Sequence, residues 1–146
     1  MHFASRRLRI ARVGRRLARE SGATAIEVAF ALPILLALTI GAFEMTRAVF
    51  AQSSLTHAAK ETARFAAVRG AASGNSAATR QQLETMAVEI TELPAARVTA
   101  LVSWAPDNLP GGVVTIEMEH EFRPIALPFL PGSMMLSSTA SMTIIR

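Results

Sequence analysis

Cysteine is missing from all 146 residues, so neither a disulfide framework nor a thiolate metal site can be built. The eight glycines never fall into a phosphate-cradling pattern. Of the three histidines, His2 lies in a basic arm and His57 beside Lys60 and Glu61, with no nucleophile or second ligand in helical reach. No cofactor, small-molecule substrate or catalytic constellation is expected from such a chain. Acidic residues are scarce where arginines crowd. Residues 1–22 hold seven of the fourteen arginines against Glu20 alone, a local charge of +6. From residue 23 onward eight bases meet ten acids, or −2. A sequence pI near 11.2 would ordinarily suggest nucleic acid, but here it reflects a basic arm joined to a slightly acidic body. No nucleic-acid partner is therefore expected, and a DNA-binding reading survives only if the arm is retained in the mature protein.

Charge is absent altogether from residues 28–43, "VAFALPILLALTIGAF". As a helix this run is ~24 Å long, and the small or apolar residues 23–26 extend it to a spanning length if Glu27 is accommodated. The positive-inside bias then puts the arginines in the cytoplasm and residues 44–146 across the membrane. Two other readings share these features. One is a buried helix of a soluble protein. The other is a conventional signal peptide with "VFA" at Val49 to Ala51 as its cleavage site, which would release a secreted or membrane-anchored binding protein. Against the second, Glu27 interrupts the apolar run, and Glu44 and Arg47 intervene before the site.

Beyond Phe43 no proline or glycine appears until Gly70, and Ala48, Ala51, Leu55, Ala59, Ala63 and Ala66 recur at helical spacing. One helix is expected from about Ala23 to Arg69, crossing the membrane and emerging as an amphipathic stalk. Pro33 removes a backbone donor within it, which predicts a kink. Glu44 and Arg47, three apart, can pair on one face at the membrane exit. Residues 70–80 read as a flexible linker, and 80–93 as a short amphipathic helix closed by Pro94. The last third changes period. Residues 96–105 and 112–122 alternate polar with apolar around "PDNLPGG", and 135–146 forms a third strand after the proline-rich stretch 123–132. The fold class is α+β: a basic arm (1–22), a transmembrane and stalk helix (23–69), and a small domain across the membrane (70–146) with one helix and a three-stranded antiparallel sheet.

Glu117, Glu119, His120 and Glu121 resemble a metal or acid-base cluster at first sight. Strand alternation separates them. The glutamates share one face, whereas His120 points with Ile116, Met118 and Phe122 to the other, and a metal site would want them together.

"RRLARESGATAIEVAFALPILLAL" orders a basic leader, Gly22, four small or apolar residues, Glu27 and the apolar run. This resembles a class III/type IV prepilin processing site. The resemblance extends to the TadE-like minor pilins (pseudopilins) of tight-adherence pili, through Pro33, Gly41, Glu44, Arg47 and the "AAxxxAR" stalk at Ala58 to Arg64. It implies cleavage by a prepilin peptidase between Gly22 and Ala23, leaving Glu27 five residues into the mature chain as an assembly and register residue. It also implies other pilins and pseudopilins as partners, an inner-membrane location, and no enzymatic activity.

Overall fold

The computed structural model describes residues 4–74, 76–125 and 132–145, with side chains at Gly22 and from Thr24 onward. The chain divides into two compact units, Met1–Phe43 and Glu44–Arg146. Its elements run in the order α1 (Ala4–Ala67), α2 (Arg80–Ile90), a 3-10 turn (Ala95–Arg97), β1 (Val98–Ala105), β2 (Val113–Phe122) and β3 (Met134–Thr143). This is the expected α+β architecture.

In the first unit, α1 begins at Ala4, well ahead of the expected start near Ala23. The arm is rich in arginine, leucine and alanine, all good helix formers, and no proline interrupts it. The helix continues through Pro33 as one element. From Thr24 it is long and apolar enough to cross a membrane, and none of its most apolar stretch is buried within the chain. The core helix of a soluble protein would be largely covered.

The second unit opens with the remaining turns of α1. Ala51, Leu55, Ala58, Ala59, Ala63, Ala66 and Ala67 are buried in one stripe, as the three- and four-residue spacing predicts. Alanine dominates that stripe, so little side-chain bulk separates the helix backbone from what it covers. Leu55, Ala58, Ala59, Ala63 and Ala66 form one core with Leu83 and Ala87 of α2, Val98, Ala100 and Val102 of β1, and Val114, Ile116 and Met118 of β2. The stalk is therefore a structural layer of the globular unit. Gln52 Nε2 donates to the Ser137 carbonyl at 2.8 Å, and Ser138 Oγ to Thr56 Oγ1 at 3.1 Å, tying the same helix to β3.

The sheet order is β1-β2-β3, both pairs antiparallel. Central β2 alternates accordingly: Val114, Ile116, Met118, His120 and Phe122 are buried, while Glu117 and Glu119 are exposed. Pairing runs Val98 to His120 through Ala105 to Val113 on one side, and Val113 to Thr143 through Phe122 to Met134 on the other.

Local chemistry sets the remaining boundaries. Thr79 caps α2 with a reciprocal box, its Oγ1 accepting from Gln82 N at 3.3 Å and its own N–H donating to Gln82 Oε1 at 3.1 Å. The helix stops at Ile90, short of the expected Leu93, because Thr91 Oγ1 turns back to the Val88 carbonyl at 2.7 Å. Glu92 follows with φ 54°, which carries the chain out of the helix. The segment after α1, expected to be a flexible linker, is pinned. Ala71 N donates to Asn108 O at 2.8 Å, Ala78 N to Arg69 O at 3.0 Å, and Ala78 is buried. Gly111, at φ 95°, supplies the left-handed residue of the β1-β2 loop, and its N–H reaches Ile144 O at 2.9 Å.

Candidate functional site

Polar and backbone-breaking residues mark α1 at Gly22, Glu27, Pro33, Gly41 and Glu44. Gly22 sits within the helix, with open space where a Cβ would be. Glu27 is exposed on the helix surface, four residues and roughly 6 Å of axial rise beyond Ala23, so the two positions share a face. The side chain of Ala23 lies outside the described residues. Gly41 also faces open space.

Glu44 holds the most elaborate geometry. Glu44 follows the last residue of the uncharged run and is only 6% exposed. One carboxylate oxygen accepts from Arg47 Nη1 at 2.6 Å, and the other accepts from the backbone N–H of Ile125, 81 residues away, at 3.0 Å. A buried carboxylate costs several kcal/mol unless paired and hydrogen-bonded, and here both oxygens are engaged. The Arg47 guanidinium in turn stands 5.3 Å from the centre of the buried Phe122 ring. The pair thus joins α1 to the end of β2 and to the loop beyond it. Residues 126–131, which complete that proline-rich loop, lie outside the described residues.

Beside this junction is a cleft of about 140 Å³ whose lining includes Arg47, Phe50, Arg97, His120, Phe122 and Arg123. Arg123 Nη2 binds both oxygens of Glu121 at 2.8 Å. That pairing, helped by a hydrogen bond from Ser133, holds the Glu121 carboxyl below the usual glutamate range, and Arg97 adds a weaker pull in the same direction. His120 is buried, with Nδ1 3.1 Å from the Arg97 carbonyl. It therefore faces away from Glu117 and Glu119, and among the described residues no group of three potential ligands could hold a metal ion. The Glu44 and Arg47 spacing is legible in the sequence, whereas the part played by Ile125 and Phe122 is not. Periodicity carries no signal for a contact between a helix and a loop 81 residues later.

Among the described residues, an α+β unit follows an exposed apolar helix that carries a basic arm. A family model described as TadE-like protein matches residues 22–64, under a third of the chain. That segment is similar to the family suggested by the motifs around Gly22 and Glu27. Neither curated proteins nor solved structures gave a match.

Proposed function

We propose that this chain is a TadE-like minor pilin, or pseudopilin, acting in the assembly of a Flp-type adhesion pilus or a related secretion machine. The observation that carries the proposal is the extent of the family match, which begins at Gly22 and leaves the arginine arm outside. That limit coincides with the position at which a prepilin peptidase would cut. The protein is then an inner-membrane, single-pass subunit with its amino terminus in the cytoplasm and its C-terminal unit in the periplasm. Its partners are the peptidase and the other pilins.

Gly22 suits such a cut physically. A peptidase needs extended backbone, and glycine lowers the cost of opening a helix by about 1 kcal/mol relative to alanine. With no Cβ it also leaves room at the scissile bond. Cleavage removes the +6 arm and creates a positively charged amine on the face of Glu27. A carboxylate inside the edge of a bilayer then gains a partner, either its own terminus or that of a neighbouring subunit. Release at Ala51 by a conventional signal peptidase fits less well, since it would discard Glu44 and Arg47 and leave the Ile125 N–H without its acceptor.

Mass analysis of the mature protein from its native membrane tests the proposal. An amino terminus at Ala23 is expected, and Gly22→Leu should leave the precursor uncut. A terminus at Gln52 would establish signal cleavage instead, and an intact Met1 would reopen a role for the arm.

A further inference from the structure

Large apolar side chains are exposed at the end of the second unit where α1 enters it. Met45, Val49 and Phe50 stand open on the first turns of α1 within this unit, Ile125 is 73% exposed just beyond β2, and Met134 and Met135 open β3. Two contacts show that these belong to one end. Ile125 is held against Glu44 by its N–H, and Met134 and Met135 pair with Phe122 and Glu121. The same end brings Arg47, Arg97 and Arg123 into the lining of the 140 Å³ cleft. Among the described residues, Arg47 and Arg123 are ion-paired there with Glu44 and Glu121.

Exposed apolar groups of this size, rimmed by arginines, mark a surface made to meet something other than bulk water. A bilayer interface offers acyl chains and, just above them, anionic phosphates, which suits both kinds of side chain. Guanidinium forks match phosphate geometry. Chain connectivity argues for the same occupant. Glu44 is the first charged residue after the uncharged run 28–43, so this end is the one tethered where the helix leaves the membrane. Full engagement of the Glu44 carboxylate is also what a low-dielectric boundary would demand.

We propose that this end of the periplasmic unit rests in the outer leaflet of the membrane its own helix crosses. Ile125, Met134 and Met135 meet acyl chains, and the arginine cleft takes the phosphate of an anionic lipid headgroup. The inference rests on the membrane-spanning reading of α1.

The lack of cysteine makes the test direct, because each single-cysteine variant of the full chain can be labelled at one position. Leu35→Cys, Ile125→Cys and Ile145→Cys would each carry an environment-sensitive fluorophore. The variants are reconstituted in vesicles of phosphatidylcholine, with or without phosphatidylglycerol, and with lipid-borne quenchers. Ile145 is the control, being 69% exposed just beyond Thr143, at the opposite end of the ten-residue β3.

Probes at 35 and 125 should be quenched, and the probe at 145 should not. Phosphatidylglycerol should shift the emission at 125 further to the blue. Arg97→Gln should abolish that increment, and inorganic phosphate added to phosphatidylcholine vesicles should not reproduce it. Quenching at 35 without quenching at 125 would overturn the inference and leave the anchor intact, whereas failure at 35 would overturn the anchor itself. Quenching at 125 that ignores headgroup charge would refute the lipid-phosphate site, and a response to inorganic phosphate would reassign the cleft to a free anion. Protection of 125 only after other pilins are added would assign this end to a protein partner.

Discussion

Cutting the chain at Gly70 rather than at Glu44 should abolish folding of the globular unit. Between Glu44 and Ala67, α1 buries Leu55 and six alanines. At about 0.8 kcal/mol for each methyl-sized group and about 2 kcal/mol for the leucine, this face contributes on the order of 7 kcal/mol. The figure is an upper estimate, because an unfolded chain already hides some of that surface. A unit of roughly 100 residues is stable by about 5–15 kcal/mol in total, so losing the helix removes a large part of the margin. The loss is compounded on the sheet. Val114, Ile116 and Met118 are fully buried, and with the helix gone part of their cover goes too. Ser54 Oγ, which donates to the Thr91 carbonyl, would leave as well. The assay is urea denaturation of fragments 44–146 and 70–146, followed by far-ultraviolet circular dichroism and amide chemical-shift dispersion. The longer fragment should unfold in one sigmoid with a slope of about 1–3 kcal/mol per molar urea. The shorter should be collapsed or aggregated, without dispersed amides. A 70–146 fragment that unfolds cooperatively at the same midpoint as 44–146 would refute the reasoning.

Two further outcomes are expected from the acids of α1. Glu44→Ala leaves the Ile125 N–H without its acceptor while Arg47, 31% exposed, can rehydrate, so the cost should be about 2 kcal/mol. Hydrogen exchange of the full chain in detergent micelles should show the Ile125 amide opening roughly 30-fold faster, and an unchanged rate would mean that the contact holds nothing. Glu27→Ala should preserve or improve membrane insertion while co-purification with the other pilus components, and piliation itself, are lost. Normal piliation at equal expression would reduce Glu27 to an interfacial residue of no special use.

Much of this protein follows from local pattern. The uncharged run 28–43, the alanine stripe of the stalk, Leu83 and Ala87 on α2, and the two-residue alternation of β2 each state their element directly. Hydrophobic period and helix or strand geometry are two views of one constraint, namely that the apolar face must turn the same way at every repeat. The prepilin-like order of Gly22, Ala23 and Glu27 is local too, and so is the separation of His120 from the glutamates beside it. Only the tertiary structure decided what these elements do to one another. It made the stalk a layer of the core, pinned the segment after Gly70 to Asn108, and bound the Glu44 carboxylate to an amide 81 residues away. It also brought Arg47, Arg97 and Arg123 around one cleft from a helix, a turn and a loop. Such contacts depend on how the chain closes long loops around a shared core, and a run of neighbouring residues carries no record of that closure.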